Sequence, residues 1–191
     1  MGMARVFLRR LGYDARGLGL GVNLEPRDRR IMSVDDALAF RSRMAGRVAR
    51  RLREITDEVD EPVSLLGWSM GGLYALDAAR AEPGCVRRVV TLGSPFGDPR
   101  GTSLFSLLRR LNRSDVPIES QDFAGWLDRS TAGDVRVPIA ILYSPRDGIV
   151  APAVAQLPDH PSIECIAVDS SHVGFAVNPD ALRRVAELLA R

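Results

Sequence analysis

Ser69 stands in Gly67-Trp68-Ser69-Met70-Gly71, a G-x-S-x-G pattern. A serine hydroxyl attacks a carbonyl only when a base takes its proton, and histidine is the usual base near neutral pH. Two histidines are present. His172 follows the apolar run Ile163 to Val168 through Asp169-Ser170-Ser171, whereas His160 precedes the same run and falls at its opposite end. A carboxylate that fixes the histidine tautomer completes the set. Asp147, in Ser144-Pro145-Arg146-Asp147-Gly148 just past the apolar run Val137 to Tyr143, is the best placed acid. Asp169 is the rival; three residues from His172, it is better suited to shaping that loop. Together these types and spacings point to acyl transfer through a serine.

Each residue also has a plainer reading. Ser69 could be a turn residue, His172 a surface-loop histidine and Asp147 a turn former, since Pro-Arg-Asp-Gly is good turn chemistry. The chemical reading requires three apolar runs to end on one edge of a sheet.

The elements needed for that are legible. Val63 to Leu66 reads as a short buried strand, and Leu73, Leu76 and Ala79 repeat at helical spacing after Ser69. Glycines let the chain turn sharply between them, because they lack a Cβ. The backbone N–H of Met70 then falls at a helix N-terminus, aimed at a developing oxyanion. Val86 to Leu92, Val137 to Tyr143 and Ile163 to Val168 read as further strands. Asp14 to Leu20 reads as a weak strand after a first helix over Ala4 to Leu11. Ser33 and Asp36 have capping-box character ahead of a long helix with the stripe Val34, Leu38, Ala45, Val48, Leu52 and Ile55. Arg43, Arg47, Arg50 and Arg51 of that helix fall mostly on its solvated face. Asn178-Pro179 starts a last helix, with Leu182, Val185, Leu188 and Leu189 on its buried side. Short apolar strands alternating with helices imply an α/β fold, a mostly parallel sheet with helices on both faces. Ligands gather at the carboxyl ends of such strands.

Composition sets the bounds. The 191 residues, 46% hydrophobic with a net charge of +2, suit one globular domain over 1–191 and give no strong pull towards nucleic acid or membranes. All 26 basic residues are arginine, which removes lysine Schiff bases, lysine general bases and Walker-type phosphate clamps. Cys85 and Cys165 follow no metal or redox spacing and read as buried, reduced side chains, as suits a cytoplasmic protein. No apolar run is long enough to span a bilayer. Neither a metal nor a cofactor is implied.

At Gly67-Trp68-Ser69-Met70-Gly71-Gly72, Thr91-Leu92-Gly93-Ser94-Pro95-Phe96, Tyr143-Ser144-Pro145-Arg146-Asp147-Gly148 and Ser171-His172-Val173-Gly174, the chain resembles the α/β-hydrolase superfamily, in particular bacterial serine esterases and lipase-like hydrolases. The resemblance runs from about Val63 to the end. It implies Ser69 as nucleophile, His172 as base and Asp147 as acid, with 97–135 in the position of a helical lid. Leu104, Phe105, Leu108 and Trp126 in that segment, with Trp68 beside the nucleophile, are the expected lining for a small-molecule acyl ester; simple packing of a cap onto the core is the alternative for the lid residues.

Family members also have an upstream strand whose following loop donates a second oxyanion N–H. Nothing before Ala4 supplies it, so the resemblance implies an N-terminally truncated version of the fold, one oxyanion donor short. The leading expectation is a serine hydrolase. An acyltransferase of the same fold, and a non-catalytic hydrolase-fold fragment, are the alternatives.

Overall fold

The computed structural model describes residues 1–20, 33–103, 123–130 and 135–191. Strands β1 (Val63–Trp68), β2 (Val86–Leu92), β3 (Ile139–Tyr143) and β4 (Ile163–Ala167) form a sheet in the order β1-β2-β3-β4, every neighbouring pair parallel. Around it lie helices α1 (Gly2–Arg10), α2 (Val34–Val59), α3 (Met70–Ala81), α4 (Ala124–Ser130) and α5 (Pro179–Leu189).

Successive residues of a strand point to opposite faces, and here they feed two separate cores. Leu65, Val89, Ile139 and Ile141 pack with α2, α3, Phe123 and Trp126 on one face. Val90, Leu92, Ala140 and Leu142 pack with Leu8 of α1, Phe175 and the α5 stripe on the other. Parallel strands laid down in sequence order, joined by crossovers of one hand, keep their connectors on one face. That is why α3 and α4 share a core while the terminal helices take the opposite side.

The helix signals read from the sequence form as expected. Ser33 Oγ accepts from Asp36 N at 3.1 Å and Asp36 Oδ2 accepts from Ser33 N at 3.0 Å, closing the capping box of α2. Asn178 Oδ1 accepts from Asp180 N and Ala181 N at the start of α5.

Two expectations are corrected. Asp14 to Leu20 forms no strand. It is held instead by side chains, with Arg9 Nε donating to Ala15 O and Arg16 pairing with Asp14 and Glu58. Nor are both cysteines buried: Cys85 is half-buried and Cys165 is exposed, because β4 lies at the sheet edge and turns that side chain outwards.

An ion pair links α2 and α3 inside the core. Arg41 of α2 is fully buried, and its guanidinium forks onto Asp77 of α3, Nε to Oδ2 at 2.7 Å and Nη2 to Oδ1 at 2.8 Å. Its other face lies 5.2 Å from the ring of Trp126 on α4. Among the described residues no helix is long and apolar enough to cross a membrane.

Candidate active site

The strand ends are in register. Trp68 pairs with Leu92, Leu92 with Leu142 and Tyr143 with Ala167, so the loops that follow all emerge on one edge. Ser69, Gly93, Ser144 to Asp147 and Val168 to His172 lie on those loops.

Ser69 occupies the turn between β1 and α3 with φ 55° and ψ −130°. A non-glycine residue there carries strain of about 1–3 kcal/mol, and such strain persists only where the surroundings impose it. They do so here. Ser69 N donates to Leu92 O at 2.9 Å, carrying the β1–β2 ladder into the turn, and Gly72 N donates back to Ser69 O at 3.0 Å. Two glycines make room for the tight passage. A Cβ on Gly67 would lie 2.5 Å from Gly72 Cα, and one on Gly72 would lie 2.0 Å from Ser94 Oγ. Met70 is the first residue of α3, where backbone N–H groups have no intrahelical acceptor.

Asp147 and His172 meet in the interior. His172 Nδ1 lies 2.8 Å from Asp147 Oδ2, with both side chains almost wholly buried. The other carboxylate oxygen, Oδ1, accepts from Ile149 N at 2.8 Å and Val150 N at 2.9 Å. An ionised carboxylate only accepts, so this arrangement holds the proton on Nδ1 and leaves Nε2 as the basic nitrogen. Gly93, at φ +53°, makes the meeting possible: a Cβ there would stand 2.8 Å from Asp147 Oδ2 and 3.3 Å from His172 Nδ1.

The rival acid lies elsewhere. Asp169 pairs with Arg146 at 3.0 Å on the surface, and its carbonyl accepts from Asn178 Nδ2. His160 sits before the amino end of β4, where its Nδ1 accepts from Ser162 N. Trp68 is tied to the histidine rather than left free: its Nε1 donates to His172 O at 3.0 Å, and the two rings lie 5.5 Å apart, tilted by 38°. The Ser69 turn meets the Asp147–His172 pair through Trp68, and Ser69 Oγ itself makes no hydrogen bond to His172 among the described residues. Such bonds commonly tighten only when substrate is bound.

Of the expected lining residues, Leu104, Phe105 and Leu108 lie outside the described residues. Trp126 is buried, with Nε1 donating to Gly97 O at 3.0 Å and Arg41 against its ring, so its surface is taken up in packing. A cavity of about 500 Å³ opens nearby between Phe96, Leu127, Leu157 and Pro158.

Sequence reasoning missed Arg41, Ser144 and the part played by Gly93. Arg41 carried a signal: it lies seven residues from both Val34 and Val48, on the buried line of α2. Ser144 carried none beyond its place after a strand.

A model of the alpha/beta hydrolase family matches residues 3–190. No curated protein matches the sequence. Among solved structures, the chain is similar to the monoacylglycerol lipase of Paleococcus ferrophilus, with a TM-score of 0.55 and 17% identity over 76% of this chain and 74% of that one. It is also similar to the thioesterase domain from the curacin biosynthetic pathway (0.53, 14%, 77% and 72%). A third likeness is to naproxen esterase, carboxylesterase NP, from Bacillus subtilis (0.52, 18%, 75% and 66%). At these identities the likeness shows a shared fold.

Proposed function

The chain belongs to the α/β-hydrolase family, and from that premise we propose that it is a serine hydrolase cleaving an ester or related acyl bond. The observation that carries the reading is the buried 2.8 Å contact of Asp147 Oδ2 with His172 Nδ1, on the same sheet edge as the strained Ser69 turn. Nothing about a structural turn calls for a buried acid–imidazole pair beside it.

In this reading His172 Nε2 takes the proton from Ser69 Oγ as the hydroxyl attacks the substrate carbonyl. Asp147 stabilises the imidazolium that forms. The carbonyl oxygen becomes an oxyanion, and Met70 N–H, at the positive end of the α3 dipole, donates to it. As the tetrahedral species collapses, the imidazolium returns its proton to the leaving alcohol, and an acyl-serine remains. Water then attacks by the same path, with His172 again as base, and releases the carboxylic acid and free Ser69. The apolar cavity between Phe96, Leu127 and Leu157 is of a size for the hydrocarbon part of a small-molecule acyl ester.

Labelling with a fluorophosphonate, which reacts with activated serines, tests the reading. The expected result is stoichiometric labelling of the folded chain that vanishes in Ser69→Ala and in His172→Gln. Folded protein that stays unlabelled, or labelling that survives Ser69→Ala, overturns it.

A further inference from the structure

The loops carrying Asp147 and His172 leave different strands, and the last ladder bond between them is Val168 N to Tyr143 O at 2.9 Å. Beyond it the two loops must be held by something else. Ser144, the first residue past β3, is 1% exposed, and its Oγ accepts two backbone N–H groups. One comes from Arg146 at 3.0 Å, next to the acid; the other comes from Ser170 at 3.1 Å, two residues before the base. A hydroxyl oxygen has two acceptor sites, and both are used, one for each loop. The Ser144 carbonyl accepts Asp147 N at 3.2 Å as well, so the acid's own backbone hangs from the same residue.

We propose that Ser144 is a positioning residue: its hydroxyl sets the separation of the Asp147 and His172 loops and thereby the geometry of the acid–imidazole bond. Other links do not serve. The Arg146–Asp169 pair joins the same loops, but both side chains are more than two-thirds exposed, and exposed ion pairs contribute little. Trp68 ties His172 to β1 and leaves the acid loop out. Among the described residues, the buried side-chain links between the two loops are the Ser144 hydroxyl and the Asp147–His172 bond itself. Ser144→Ala leaves two N–H groups without their acceptor, that of Ser170 in a buried place. The loops then relax independently, and the imidazole loses its fixed orientation. The kinetic part of this inference rests on the serine-hydrolase reading; the geometric part does not.

The test is proton NMR of the folded chain in a His160→Gln background, where the low-field imidazole N–H signal belongs to His172. Ser144→Ala should shift or broaden that signal and slow fluorophosphonate labelling by about 10- to 100-fold, as expected when reacting groups are displaced by a fraction of an ångström to an ångström. Val185→Ala, which removes core volume from α5 and none of the hydrogen bonds between the loops, should lower stability while leaving both readouts in place. An unchanged signal and labelling rate in folded Ser144→Ala overturn the proposal. Should that variant fail to fold, hydrogen exchange of the unaltered chain decides: Ser170 and Arg146 amides that are both protected support the shared acceptor, and a freely exchanging Ser170 amide overturns it. Absence of labelling in the unaltered chain counts against the hydrolase reading alone, since the proton signal and amide exchange still report on Ser144.

Discussion

Trp68 donates its indole N–H to the carbonyl oxygen of His172 at 3.0 Å, bridging 104 positions of sequence. The residue that precedes the candidate nucleophile thus holds the backbone of the candidate base, and the link crosses from β1 to the loop after β4 over the two strands between them. Trp68→Phe keeps the ring against His172 and removes the donor. A net hydrogen bond is worth about 0.5–1.5 kcal/mol, so fluorophosphonate labelling should slow about 2- to 10-fold. The melting temperature should fall by only a few degrees, which calorimetry can check.

Gly93→Ala should damage the site more than the fold. Its Cβ meets Asp147 Oδ2 at 2.8 Å and Phe175 Cε2 at 2.9 Å, and the residue must hold φ +53°. Left-handed backbone costs a non-glycine residue about 1–2 kcal/mol, and the contacts push directly on the acid–imidazole pair. Loss of the low-field His172 proton, in protein that still melts cooperatively, is the expected outcome.

At Gly72 the order reverses. The added Cβ would stand 2.0 Å from Ser94 Oγ and 2.8 Å from Ser94 Cβ, both in a fully buried side chain between α3 and the sheet. Overpacking of this kind costs about 1–3 kcal/mol. Denaturant unfolding of Gly72→Ala should show that loss, and Gly72→Ala with Ser94→Ala should recover part of it, since the second change removes the nearer clash.

Arg41 and Asp77 should be costly to separate and cheap to replace together. Removing one partner of a buried pair costs about 3–5 kcal/mol. Arg80 Nη1 remains 3.2 Å from Asp77 Oδ1, so Arg41→Met should fall at or below the lower end of that range. The double change Arg41→Met with Asp77→Leu should be less destabilised than Arg41→Met alone, as a double-mutant cycle by urea unfolding would show. Because Arg41 also lies against Trp126, the single variant should additionally raise Trp126 exposure, read as a red shift in fluorescence.

Cys165 is exposed at the sheet edge, yet desolvation by its neighbours pushes its thiol pKa above the ordinary value. A raised pKa means less thiolate at neutral pH, and the thiolate is the reactive form. Alkylation by iodoacetamide at pH 7.5 should therefore be slower at Cys165 than for free cysteine, and should accelerate as the pH is raised; mass spectrometry of the modified peptide reads both.

Much of this was legible along the chain because local physics determined it. The alternation of Val89, Val90, Leu92 and of Ile139, Ala140, Ile141, Leu142 marks strands buried on both faces, and the two cores sort those residues as that pattern demands. Ser33, Asp36, Asn178 and Pro179 act on backbone groups within three residues of themselves, so their caps needed no tertiary information. The glycines around Ser69 announced a sharp turn, since only a residue without a Cβ lets strand and helix pass that closely. Asp14 to Leu20 misled for the complementary reason: a strand requires a ladder partner, and propensity cannot say whether one exists.

What the amino-acid sequence determined by itself was therefore the four strands, the helices α1, α2, α3 and α5, their order, and the three residue types placed after strand ends. Tertiary structure decided which of them meet. Asp147 and Asp169 are both close to the right place in the chain, and the choice between them turned on the β3–β4 register, the open φ at Gly93 and the Ser144 hydroxyl between the loops. The burial of Arg41 and the bond from Trp68 to His172 are of the same kind. Each joins residues tens of positions apart, and such pairs are set by how finished elements pack, which no window of local sequence contains.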